Sequence, residues 1–131
     1  MTRTDIIFAV NKLAKYTRKP GKVHFEALTH LLRYLRDNSL HGVRFYSAIG
    51  ESPIYKMLLA QKIDEQHLLF GFTESSWNDD QDSGLSTGCF VITYMGGIVD
   101  HSSNMPDPVA LSSAEAEYNE GCVAFMAASH L

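Results

Sequence analysis

The stretch "CFVITYMGGIVDHSSN", residues 89–104, constrains this chain more than any other. Two runs rich in β-branched and aromatic residues flank the Gly96–Gly97 pair. A glycine pair supplies the positive φ angles that a tight hairpin turn needs. A lone hairpin is marginal in water, so a further strand and a cover must be found elsewhere in the chain. "HLLFGFTESSW", residues 67–77, reads as a buried strand that turns polar at its end, and "WNDDQDSGLSTG" is a loop rich in turn-forming residues. Two prolines in "MPDPV" make residues 105–109 a linker. A final helix from about residue 113 to the end supplies the cover.

The first half is helical. Thr4 and Asp5 make a helix start, with Ile6, Val10, Leu13 and Ala14 at helical spacing, and Pro20–Gly21 ends the element. A second helix covers residues 22–37, with Phe25, Leu28, Leu31, Leu32 and Leu35 on one face. The pair should pack as a hairpin through Val10, Leu13, Phe25, Leu28, Leu32 and Leu35. "GVRFYS" reads as a short strand. Residues 48–66 are a linker or insertion, in which "SPIYKMLLAQK" has Ser52 as cap and Pro53 at the first helical position. The fold class is therefore α/β: a helical hairpin followed by an antiparallel three-stranded meander covered by a helix.

Charge divides the chain. Residues 1–47 hold nine Lys/Arg against three Asp/Glu (+6), and residues 48–131 hold two against twelve (−10). The basic part could grip phosphates or could be a solvated helix face. The acidic part repels phosphates unless cations intervene. The N-terminus has no secretory apolar region, which points to an intracellular chain, although it has the basic amphipathic pattern of some targeting segments. No apolar run is long enough to span a bilayer. Cys89 and Cys122 lie in apolar company, as a reduced and buried pair would. The six histidines lack zinc-ligand spacing.

The chemistry rests on carboxylates. In "ALSSAEAEYNEG", residues 110–121, Ser112 and Glu115 match a capping box, which gives Glu115 a structural role. Glu117 lies about 200° around the helix from Glu115. It shares a stripe with Ala114, Gly121, Ala124 and Ala128, small enough to approach a sheet closely. Glu120 reads as a solvated acid near the helix start. Glu117 has two readings, an ordinary first-turn acid or a metal ligand. Glu74 likewise is either a polar strand end or a carboxylate facing the helix, the layout by which two-metal nucleases hold Mg²⁺.

The residues also resemble the end of the polyprotein of copia-type LTR retrotransposons. Residues 3–47 are similar to the segment after the reverse-transcriptase active site, through Arg3, Asp5, Ile6, Ala9, Val10, His24, Ala27, Leu32, Arg33, Tyr34 and Leu35, with Thr4 where the family has proline. Residues 67–131 resemble the N-terminal part of a ribonuclease H domain, through "GFTESSW", "STGCFVITYMGG" and "VALSSAEAEY". The resemblance implies metal-dependent hydrolysis of RNA in RNA–DNA hybrids, with Mg²⁺ or Mn²⁺ as cofactor. It makes Glu74 and Glu117 the catalytic and metal-binding residues. Several departures imply an impaired site: Glu74 stands for an aspartate, Ser76 for a second acid and Leu85 for a basic residue. The family's later acids are expected beyond Leu131, and its paired polymerase aspartates are absent. The alternative is a non-catalytic relic, whose open sheet edge and apolar helix face take a protein partner.

Overall fold

Pro20 and Gly21 split the N-terminal amphipathic stretch into two helices in the computed structural model, which describes residues 3–46, 48–61, 69–80, 83–105 and 109–131. The chain divides into two units, Met1–Val43 and Arg44–Leu131.

In the first unit a 3-10 turn, Thr4–Ile6, leads into α1 (Ile7–Ala14), and α2 spans Lys22–Asp37. Thr4 opens the 3-10 turn and makes no side-chain cap bond, contrary to the expectation of a capped α-helix at this point. Asp5 is engaged elsewhere. Its carboxylate accepts from Arg3 Nε at 2.9 Å and Nη2 at 2.8 Å, and from the Tyr34 hydroxyl at 2.9 Å. The Arg3 hydrogen bonds hold the Asp5 carboxyl well below the usual carboxylate range. At the start of α2, the Gly21 N–H donates to His24 Nδ1 at 2.9 Å, and the His24 ring stacks on Tyr16 at 3.9 Å. Histidine thus performs the back-reach that a glutamate makes in a capping box.

The hairpin is not packed as the apolar spacing suggests. Neither helix buries a residue; Phe25 is 68% exposed and Leu32 57%. An eight-residue α1 is too short to cover the stripe of α2. What remains between them is an open groove of about 430 Å³, lined by Val10, Leu13, His24, Phe25, Leu28 and Leu31 among others. Leu32→Ala is therefore expected to cost about 1 kcal/mol or less, well below the roughly 2–5 kcal/mol of a buried leucine. Urea denaturation followed by helix signal checks this.

"GVRFYS" forms no strand over its described residues, 42–46, and the second unit begins within it at Arg44. The Phe45 ring lies against Gly97, so close that a Cβ there would meet it at 2.5 Å. A 3-10 turn, Ile49–Glu51, precedes α3 (Pro53–Ala60). Ser52 caps α3 as expected, accepting from the Tyr55 N–H, and its hydroxyl donates to the Gly96 carbonyl at 3.0 Å. Tyr55 and Leu58 form the buried side of this short helix.

The sheet comprises β1 (Leu69–Ser76), β2 (Thr87–Tyr94) and β3 (Gly97–Asn104), antiparallel and in that spatial order. The meander expected from the sequence is present. Its tight turn is one residue earlier than the glycine pair implies. Tyr94 pairs with Gly97, so Met95 and Gly96 are the turn residues, with φ of 48° and 78°. Two successive positive φ angles make a turn whose twist suits the flanking strands. A bulge between Ile92 and Thr93 skips Val99. The last helix, α4 (Ser113–Ala128), packs on β1 and β2, around a small core of Phe90, Ile92 and Ala124.

The linker reading of residues 105–109 falls partly on residues outside those described. Among the described residues, no helix is long and apolar enough to cross a membrane. The cysteines are not a buried pair: both are free, Cys89 half-buried and Cys122 exposed.

Candidate functional site

Side chains alternate along strands, and residues opposed in an antiparallel pair share a face. Phe90 and Ile92 pack on α4, so Gly88 faces it too, as do Ser75 and Thr73 across on β1. Trp77 continues that parity, and its Nε1–H donates to the Ala110 carbonyl at 2.9 Å. This bond ties the end of β1 to the chain just before α4, the relation expected of the strand bearing Glu74. Glu74 itself pairs with Cys89 and so leaves β1 on the opposite face, exposed. β1 is an edge of the described sheet.

The start of α4 is built by Ser112, whose Oγ accepts from the Glu115 N–H at 3.1 Å. Glu115 reaches back as the capping box requires, but one residue further, accepting from the Leu111 N–H at 2.7 Å. Glu115 is thereby committed to the cap.

The sheet-facing side of α4 is not the expected stripe. Ala116, Glu120 and Ala124 are buried, with Val123 and Ala127 beside them, while Ala114 and Glu117 are exposed. Glu117 sits about 60° around the helix from Glu120, on the border of the buried face. Glu74 and Glu117 thus leave their elements on different sides of the sheet layer. The neighbouring loop acids are occupied. Asp79 accepts from the Thr87 hydroxyl at 2.7 Å, and Asp80 accepts from the N–H and hydroxyl of Ser83.

Sequence reading placed Glu120 in solvent; the structure buries it to 1% exposure. Both carboxyl oxygens lack a hydrogen-bond partner among the described residues, as does Ser75 Oγ on the same sheet face. Glu120 fills the space over Gly88, where a Cβ would lie 1.9 Å from Oε2. Burial raises its pKa above the ordinary glutamate value. The Cys89 thiol is also pushed up, by burial first and then by the charges of Glu120 and Glu74. A local signal existed for Glu120: it is flanked at four residues on either side by Ala116 and Ala124, the row that forms the buried face.

The donor set does not fit a two-Mg²⁺ cage. Such cages gather several oxygen ligands from rigid elements. Among the described residues no three His, Cys, Asp or Glu are grouped to hold a metal ion.

The chain is similar to the retrovirus-related Pol polyprotein from transposon TNT 1-94 of Nicotiana tabacum, 33% identical over 117 residues, 89% of this chain but 8% of that protein. It is also similar to the Pol polyprotein from transposon RE1 of Arabidopsis thaliana, at 29% identity over 89% of this chain and 7% of that protein. A relative of more comparable length is the secreted RxLR effector protein 161 of Plasmopara viticola, 31% identical over 90% of this chain and 72% of that protein. No family model matches the chain, and no solved structure matches it.

Proposed function

We propose, for a chain that belongs to the family of copia-type retrotransposon Pol polyproteins, that it is a piece joining the end of the reverse-transcriptase segment to the start of a ribonuclease H-like domain, with the hydrolytic activity impaired. One observation carries the reading. The three sequence blocks that resemble a ribonuclease H domain fall on β1, β2 with its turn, and the start of α4, which pack together and are tied by the Trp77–Ala110 bond. The ancestral reaction is metal-dependent cleavage of RNA in an RNA–DNA hybrid.

Impairment follows from the carboxylates. Glu74 is longer than the family aspartate by one methylene and leaves β1 away from α4, and Ser76 supplies no second acid. A displacement of about 1 Å at a reacting centre can cost on the order of 100-fold in rate. The acidic surroundings also repel a polyanionic substrate. A gel assay on a labelled RNA–DNA hybrid, with Mg²⁺ and then Mn²⁺, tests the proposal. Cleavage is expected to be slow or absent, and Glu74→Asp alone is not expected to restore it. Robust metal-dependent cleavage that disappears in Glu117→Gln would overturn the impairment.

A second reading, a non-catalytic relic that binds a protein partner, has its own support. The outward face of α4 exposes Tyr118, Phe125 and Met126, and β1 and β3 are the edges of the described sheet. A relative of comparable length also bears the name of a secreted effector. Calorimetric titration with Mg²⁺ or Mn²⁺ separates the readings: measurable binding lost in Glu117→Gln favours the residual enzyme.

A further inference from the structure

We propose that Glu120 is a pH-dependent latch: its neutral carboxyl seats α4 on the sheet, and its ionisation as pH rises loosens that seat. This goes beyond the proposed function, since Glu120 is not among the residues carried over from the family resemblance.

Glu120 lies in the middle of α4 on its sheet-facing side, with essentially no exposure and neither oxygen partnered among the described residues. A neutral acid in such a place can share its proton with a nearby acceptor, whereas an ionised one needs a cation or several donors. The elements described around Glu120 offer it no lysine or arginine. Residues 68–131 contain no lysine or arginine, so neither the described strands nor α4 can supply one. From β1, Ser75 faces Glu120 across Gly88, and Glu74 lies behind the sheet. From β2 come Gly88 and, on the far face, Cys89. From β3, pairing places Asp100 on the α4 side and His101 on the far side. On α4 itself the nearest acid is Glu117. None of these groups supplies a positive charge on the α4 side of the sheet, and the one imidazole of the sheet is on the far face.

Gly88 explains how the acid is tolerated. Its missing side chain leaves the room that the Glu120 head group occupies. The raised pKa of Glu120 has burial as its cause, in keeping with this arrangement. The sign follows. A carboxyl whose folded-state pKa is raised leaves stability undiminished below the unfolded-state value. Stability then falls as pH rises from that value through the folded-state one, and levels off above it.

The test uses the full chain and Trp77, its single tryptophan, whose ring bonds to Ala110 just before α4. Urea titrations followed by Trp77 fluorescence are run between pH 4 and 8 for the native chain and for Glu120→Gln. The native unfolding constant is expected to rise with pH by up to about tenfold per unit above the ordinary carboxylate pKa, then to level off. Glu120→Gln should lack this one-proton component. Identical pH dependence in the two proteins overturns the proposal. Should Glu120→Gln fail to fold, the side-chain carboxyl of native Glu120 is titrated by ¹³C NMR. A midpoint above that of an ordinary glutamate supports the latch, and one at or below it overturns it.

Discussion

Gly96→Ala is expected to destabilise the second unit by about 2–5 kcal/mol, the sum of two separable effects. Gly96 has a φ of 78°, in the left-handed region. A side chain there costs roughly 1–2 kcal/mol. The new Cβ would also lie 2.4 Å from Ser52 Cβ and 2.5 Å from its Oγ. Ser52 has little freedom to yield. It is wholly buried, its hydroxyl accepts from the Tyr55 N–H, and the same hydroxyl donates to the Gly96 carbonyl. Overpacking against so fixed a neighbour costs about 1–3 kcal/mol. Met95→Gly is the control. Met95 has a φ of 48°, so glycine there relieves strain while loosening the unfolded chain. Its net effect is expected to stay within about 1 kcal/mol of zero. Urea denaturation followed by Trp77 fluorescence measures both. A loss below about 1 kcal/mol for Gly96→Ala would mean that Ser52 does not clamp the turn.

That clamp also shows where sequence reading succeeds and stops. The hairpin is legible because strand composition and a glycine pair agree locally. The turn position is not, because two adjacent glycines allow two registers. The choice is made by distant residues: Ser52 over Gly96, and Phe45 against Gly97. The segment "GVRFYS" packs its Phe45 ring on Gly97 without forming a strand over its described residues. Aromatic and β-branched residues mark any extended segment that packs, paired or not. Helix α2 is legible from its Pro-Gly boundary, but the apolar face of α2 reveals only that burial is available, not that a partner long enough exists. In α4 the small residues stand on several sides, at Ala114, Ala116, Gly121, Ala124, Ala127 and Ala128. Spacing alone therefore supports more than one sheet-facing stripe. The stripe through Glu117 satisfied the pattern, whereas the structure turns Ala116, Glu120 and Ala124 inward. What favours that rotation is the space over Gly88, which lies far from Glu120 in the sequence and is invisible to any local pattern.

Gly88→Ala should expose that dependence. Its Cβ would come 1.9 Å from Glu120 Oε2, 2.5 Å from Cδ and 3.2 Å from Cγ. The clash reaches down the side chain, so a small swing of the carboxyl tip does not relieve it. Either Glu120 leaves its buried position or α4 lifts from β1 and β2, at an expected cost of about 1–3 kcal/mol. The backbone at Gly88 is not in the left-handed region, so alanine has no conformational objection there. In a Glu120→Ala background the clash is gone, and the same Gly88→Ala change should become neutral or stabilising, by up to about 1 kcal/mol, because alanine suits a strand better than glycine. The coupling between the two sites is therefore expected to be about 1–3 kcal/mol, with a change of sign for Gly88→Ala between backgrounds. Urea denaturation of the four proteins at pH 4, on the acid side of the ordinary glutamate value, measures it with little intrusion from the latch. Additive effects would show that Glu120 does not occupy the space over Gly88, and both the rotation of α4 and the latch built on it would fall together.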